Sequence, residues 1–145
     1  MRILITALAA TLSLGMAAAE PSVTVASFAV QADREVLLEG TFEGREGKRG
    51  RGTARIVREG DALFLEFENF RTSRGPQLEV WITDRTVRTN EDVAAAGYVD
   101  LGDLQSPRQA EQRYALPADL DLGTAKSVVI WCEPFAILFA SADLS

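Results

Sequence analysis

One cysteine, Cys132, is the residue whose side chain could do redox, nucleophilic or metal-binding chemistry in this chain. It lies in an apolar segment, residues 127–133, between Trp131 and Glu133. A thiol can be oxidised to a sulfenic acid or can form a mixed disulfide. A buried cysteine, however, behaves as a small and unreactive hydrophobe. Cys132 is therefore the redox candidate, with Trp131 and Glu133 as its neighbours in a site, and a structural role is the alternative.

Alternation along this segment predicts which way the thiol points. Successive strand residues face opposite sides of a sheet, so Cys132 shares a face with Val128 and Ile130. Trp131 and Glu133 lie on the other face, which also carries the polar end of the segment. This pattern predicts that Cys132 is turned inward.

Composition excludes several kinds of redox and catalytic centre. The chain has no histidine, and its two methionines, Met1 and Met16, lie within residues 1–19, which we expect to be removed as a signal peptide. A blue-copper site, His or Met ligation of haem, and a Cys–His zinc site all lack their ligands. A serine–histidine or cysteine–histidine catalytic arrangement lacks its base. Of the usual electron-carrier centres, only thiolate-ligated haem and chemistry of the thiol itself remain. We predict no cofactor and no metal, and we see no catalytic constellation of an enzyme.

Carboxylates and basic residues offer weaker candidates. Glu66 and Glu68 share a strand face at a spacing of roughly 7 Å, which could suit glycoside hydrolysis or a hard cation. A solvated polar face is the commoner explanation of such a pair. The basic cluster at residues 48–51 is interpreted as a solvated hairpin turn.

Aromatic side chains suggest a third kind of site. Trp81, Trp131 and Phe64 fall on the faces of their strands that point away from the predicted core. Together they could form an exposed platform for a sugar or a protein. Alternatively a second layer covers them, for which Tyr98, Tyr114 or the segment after the N-terminus is available.

The N-terminal residues predict export. Residues 1–19 combine Arg2, an apolar run and three alanines before Glu20, which is the pattern of a cleaved signal peptide. We expect a lead-in at residues 20–33 and a single domain at residues 34–145. The chain is then secreted, in the periplasm, with no membrane span after cleavage. Its net charge of −6 makes nucleic acid an unsuitable partner.

Short alternating segments predict the fold class. Strands are expected at residues 35–42, 52–58, 62–70, 77–83, 98–101, 113–116, 127–133 and 135–140, with a possible further one at 23–30. A helical turn is expected between Thr89 and Gly97, and Pro134 must lie at a bend, bulge or edge. The prediction is an all-β single domain, an antiparallel β-sandwich or barrel-like sheet with at most one short helix.

The order of short motifs resembles the DM13 domain family. The likeness covers about residues 35–144 and is carried by Gly-Thr-Ala at 52–54 ahead of 63–67, by 75–82, by 112–117, and by 127–135 with 139–144. The most specific part is the apolar strand that ends in Ile-Trp-Cys. The resemblance implies an extracytoplasmic β-rich electron-transfer module in which Cys132 holds the family's characteristic cysteine position. Members often carry histidine before Gly-Thr-Ala, where this chain has Arg51.

Two functions remain at this point. The first is an extracytoplasmic accessory module for thiol-based redox or electron transfer, acting through Cys132 with a protein partner, which would be a redox protein. The second is a non-catalytic β-sandwich that binds a ligand or protein and uses Cys132 only for packing.

Overall fold

A computed structural model describes residue 15 and residues 33–145. Nearly all of the predicted signal peptide and lead-in, including the strand expected at residues 23–30, lie outside the described residues.

Within residues 33–145 the chain forms eight strands and one short helix. The strands are β1 (Arg34–Gly44), β2 (Gly50–Glu59), β3 (Ala62–Thr72), β4 (Leu78–Thr83), β5 (Tyr98–Asp103), β6 (Gln112–Ala115), β7 (Ser127–Cys132) and β8 (Ile137–Asp143), and the helix is α1 (Asn90–Ala95). They make one sheet in the order β5-β4-β7-β8-β1-β2-β3-β6, and every neighbouring pair is antiparallel. The predicted all-β antiparallel fold is confirmed. No helix in the described part of the chain is long and apolar enough to cross a membrane.

The sheet curls into a barrel-like shape around one apolar interior. All eight strands contribute side chains to this interior. At its centre Phe67 lies 4.9 Å from Phe42, 4.8 Å from Phe70 and 5.4 Å from Tyr114, measured between ring centroids. Aromatic rings at these separations attract each other in addition to the area that they remove from water. The interior is therefore a packed core.

Strand direction brings four connections to one end of the barrel. Because each strand is antiparallel to its neighbours, the β1–β2, β3–β4, β5–β6 and β7–β8 connections all emerge at the same end, here called the upper end. The β7–β8 turn contains Pro134, as predicted for a bend, and Ala136 adopts a φ of 50°. Cys132, the last residue of β7, lies directly before this turn and hence at the upper end.

A second apolar layer lies on the outside of β4, β7 and β8. Residues 84–97 fold across this surface, and Val87 and Val93 pack against Trp81 and Trp131. The Thr89 hydroxyl accepts a hydrogen bond from the Asp92 backbone N–H, which caps α1 as the sequence predicted. These strands are consequently covered on both faces.

Ion pairs occupy the outer face of β1, β2, β3 and β6. Glu66 accepts a hydrogen bond of 2.5 Å from Arg34, and this contact lowers the pKa of Glu66. Glu68 pairs with Arg55, which also contacts Glu39 at 2.5 Å. The two carboxylates that share this strand face are therefore members of an ion-pair network, in agreement with a polar outer face rather than a catalytic pair.

Truncation of the central aromatic residue should show how much the interior stabilises the fold. We expect Phe67→Ala to lower the free energy of unfolding by about 3–5 kcal/mol, because the removed ring leaves a cavity. Urea denaturation would measure this loss. The control, Phe135→Ala, removes a ring that is 63% exposed and should change stability by no more than about 0.5 kcal/mol. Equal effects of the two substitutions would contradict this packing.

Candidate functional site

Cys132 lies in the barrel interior. Its side chain is 0% exposed and packs in the same cluster as Val128 and Ile130, as strand alternation predicted. The thiol donates a hydrogen bond of 3.2 Å to the backbone carbonyl oxygen of Pro76. Pro76 itself is exposed, so the sulfur lies directly beneath a surface residue of the upper end.

The segment above the sulfur is the β3–β4 loop, residues 73–77. Its first residue is held to the β1–β2 connection, because the Ser73 N–H donates to the Arg49 carbonyl and the Ser73 hydroxyl accepts from the Arg49 N–H at 2.9 Å. At its other end the Gln77 carbonyl accepts from the Glu133 N–H at 3.2 Å. Gly75 approaches the Phe139 ring so closely that an added Cβ would lie 2.6 Å from it. The loop is thus fastened at both ends and in its middle.

Trp131 does not share the surroundings of Cys132, although the two are adjacent in sequence. Its indole belongs to the outer apolar layer, and its Nε1–H donates to the Glu133 carboxylate at 3.1 Å. Glu133 is exposed, in the turn after β7. Of the three predicted site residues, Cys132 therefore faces inward, whereas Trp131 and Glu133 contact each other on the outer side.

Of the two arrangements considered for the aromatic residues, the exposed platform is not formed, because its members are covered or lie apart. Trp81 and Trp131 are 6% and 7% exposed beneath residues 84–97, and Tyr98 stacks on Trp81 with ring centroids 4.0 Å apart. Phe64 lies on β3, where the Arg113 guanidinium covers its ring at 3.6 Å. The alternative, a second layer that includes Tyr98, is the arrangement found, whereas Tyr114 packs in the interior.

A half-buried carboxylate completes the outer layer near the tryptophans. Glu79 accepts a hydrogen bond of 3.0 Å from the Trp81 indole. Burial raises the pKa of Glu79, and the neighbouring negative charges of Asp100, Glu133 and Asp103 act in the same direction. In the described part of the chain these acids are not arranged to hold a metal ion.

The loop over the sulfur is the part of this site that sequence reasoning missed. The sequence marks residues 72–76 as a turn but contains no local signal that links the turn to Cys132. The link follows from strand register, since Leu78 at the start of β4 pairs with Cys132 at the end of β7. A correct prediction of the β4–β7 pairing would have revealed it.

Removal of the charge on Glu79 should stabilise the protein at neutral pH. Because its pKa is raised, folded Glu79 keeps its proton to higher pH than unfolded Glu79, so the stability that Glu79 contributes falls as pH rises above the unfolded pKa. Glu79→Gln retains an oxygen for the indole and should gain about 0.5 kcal/mol at neutral pH. The gain should vanish below the unfolded pKa of about 4.3, as measured by urea denaturation across pH. The control is Glu35→Gln, a substitution of an exposed glutamate. An equal gain in stability there would show that burial of Glu79 is not the cause.

Comparison with known proteins identifies the family. The family model described as "Electron transfer DM13" matches residues 41–144, which include β2 to β8, the C-terminal end of β1 and Cys132. Neither the search of curated proteins nor the search of solved structures found a significant match. Since the family model covers most of the sequence, the chain belongs to the DM13 family of electron-transfer domains.

Proposed function

We propose that this domain is an extracytoplasmic redox accessory module that works with a protein partner, and that Cys132 is its redox group. Membership of an electron-transfer family supports a redox role. The signal-peptide pattern at residues 1–19 supports export. The observation that carries the assignment to Cys132 is its hydrogen bond to Pro76, because the acceptor belongs to an exposed loop and not to a strand.

The chemistry is thiol–disulfide exchange with a disulfide of the partner. The Cys132 thiol loses its proton, and the thiolate attacks one sulfur of that disulfide. The partner's S–S bond breaks while a new S–S bond forms to Cys132. The displaced partner thiolate takes up a proton, so that no further oxidant is needed. The product is a mixed disulfide, in agreement with a chain that has one cysteine and cannot form an internal bridge.

Access to the sulfur requires movement of residues 73–77. Displacement of this loop would remove the Pro76 carbonyl from the thiol and expose the upper end of the interior. Such local opening needs less free energy than global unfolding when few contacts are broken. The loop is held by a small number of hydrogen bonds, of which the one to the Ser73 hydroxyl can be removed by mutation.

Weakening the loop should accelerate modification of the native thiol. We expect Ser73→Ala to increase the rate of Cys132 labelling by a thiol reagent roughly fivefold, since one hydrogen bond of about 1 kcal/mol is lost. Labelling would be followed without denaturant across a pH range of about 5–9, which brackets the ordinary thiol pKa. The control is Ser106→Ala, which removes a hydroxyl that accepts from the Arg108 N–H at 3.1 Å and leaves residues 73–77 unchanged.

Denaturant dependence decides between local opening and global unfolding. Labelling through the loop should be faster than global unfolding and nearly independent of urea at low concentration. The opposite outcome is labelling at the global unfolding rate, with Ser73→Ala acting only through its effect on stability. That outcome would show that Cys132 is not the redox group.

The second candidate is a module that binds a ligand or protein and uses Cys132 only for packing. The complete burial of the side chain favours it, because redox-active cysteines are usually partly exposed. In this case Cys132→Ala would lower stability without changing binding to a partner. The labelling experiment therefore distinguishes the two candidates.

Export has its own test. If residues 1–19 are a signal peptide, the protein recovered from outside the cytoplasm should begin at Glu20, as measured by N-terminal sequencing. A cytoplasmic protein that keeps Met1 or Arg2 would contradict extracytoplasmic function.

A further inference from the structure

Five arginines line one cleft at the upper end of the barrel. They are Arg49, Arg51, Arg71, Arg74 and Arg108, and the cleft between them measures about 540 Å³. Its wall also contains Gly50, Thr72 and Ser73, but no aspartate or glutamate. All five arginines are exposed. The sequence interpretation of residues 48–51 as a solvated turn missed this arrangement, because the other arginines come from the end of β3, the β3–β4 loop and the β5–β6 connection.

The backbone beneath these side chains is well connected. The Arg49 carbonyl accepts from the Ser73 N–H at 3.0 Å and from the Thr72 hydroxyl at 2.9 Å. The Thr72 N–H donates to the Pro107 carbonyl at 3.0 Å, which joins β3 to the segment that carries Arg108. The arginines therefore project from three connected pieces of backbone around a common space.

These arginines differ from the remaining arginines of residues 33–145 in having no carboxylate partner among the described residues. The others all form ion pairs, namely Arg34, Arg45, Arg55, Arg58, Arg85, Arg88 and Arg113. Within the described range no ion pair includes any of the five arginines of the cleft. Outside that range the sequence contains a single carboxylate side chain, Glu20, which cannot neutralise five guanidinium groups. Positive charge is thus concentrated in one place on a chain whose net charge is −6.

Two of these arginines lie directly opposite each other across neighbouring strands. Arg51 of β2 pairs in register with Arg71 of β3, so both side chains extend from the same face. The register of the two strands shifts directly after this pair, between Arg51 and Thr53. The residue at the shift is Gly52, which has a φ of 111° and no room for a side chain, because an added Cβ would lie 2.7 Å from the Phe70 Cα. Like charges directly opposite each other destabilise a sheet. An anion bound between them would convert this repulsion into attraction.

We propose that this cleft binds a small, multiply charged oxyanion that carries phosphate or carboxylate groups. Guanidinium groups bind such oxygens through paired N–H donors and stay charged at every physiological pH. The volume of the cleft lies within the range of about 300–1,000 Å³ that is typical of small-molecule sites. Its concave shape, with arginines from three segments, suits a small molecule better than the flat surface of a protein.

Calorimetric titration of the full chain tests the proposal with two probes. Inorganic pyrophosphate represents phosphate ligands and citrate represents carboxylate ligands, and sodium chloride at matched ionic strength corrects for screening. We expect saturable binding of at least one probe at one site. Arg71→Gln should weaken that binding about tenfold, the effect of losing one charge-assisted contact. Arg85→Gln is the control, because it removes an equal charge at an exposed arginine outside the cleft.

Thermal melting provides a second readout on the same variants. In chloride buffer Arg71→Gln should have a melting temperature equal to or above that of the unchanged protein, because it removes the repulsion with Arg51. It should also lose most of the rise in melting temperature that the binding anion produces. If Arg71→Gln has a lower melting temperature than the unchanged protein in chloride buffer, Arg71 and Arg51 do not repel each other as proposed.

Two results would overturn the proposal. The first is the absence of saturable binding for both probes. The second is an equal loss of affinity in Arg71→Gln and Arg85→Gln, which would indicate diffuse attraction to the whole surface. In the first case, binding of an acidic polypeptide such as polyglutamate would make the cleft a docking surface for a protein.

Discussion

Burial of β7 on both faces is the constraint on which the rest of this structure depends. All six residues of β7 are buried, and they alternate between the barrel interior and the outer apolar layer. An antiparallel sheet can leave one face in water, but an apolar strand of this kind cannot. Residues 84–97 meet the requirement by folding over the outer face, where Val87 and Val93 complete the second layer. The same alternation places the thiol of Cys132 inside and the indole of Trp131 outside.

Charged side chains form two kinds of surface, one on which opposite charges are paired and one on which positive charges are not. On the outer face of β1, β2, β3 and β6, arginines and glutamates neutralise one another, and both Arg34 and Arg113 contact Glu59 and Glu66. Exposed ion pairs of this type add little to stability, and they leave little net charge to attract a ligand. At the upper end the arginines of the cleft are not neutralised in this way. Residues 73–77 connect this end to the interior, since Arg74 belongs to the cleft and Pro76 accepts the hydrogen bond of the thiol.

Much of the local structure could be predicted from the sequence. Period-two alternation and turn residues located all eight strands to within a few residues, Thr89 and Gly97 bounded the expected helical turn that contains α1, and Pro134 located a turn. The inward direction of Cys132 followed from the same alternation. The sequence could not decide whether the tryptophans form an exposed platform or are covered, because alternation reports only that Trp81 points away from the interior. It cannot report whether another segment of the chain covers that side.

The sequence by itself determined the strand pattern, the absence of any histidine ligand from the given chain, and the family of the domain. These properties depend on residue type and on spacing over a few positions. Only the tertiary structure decided that Pro76 lies above the Cys132 sulfur, that Arg51 faces Arg71, and that residues 84–97 cover the tryptophans. The physical reason is that each of these contacts depends on which strands pair and in which register. Pairing is selected by burial over the whole sheet, and no short stretch of sequence contains that information.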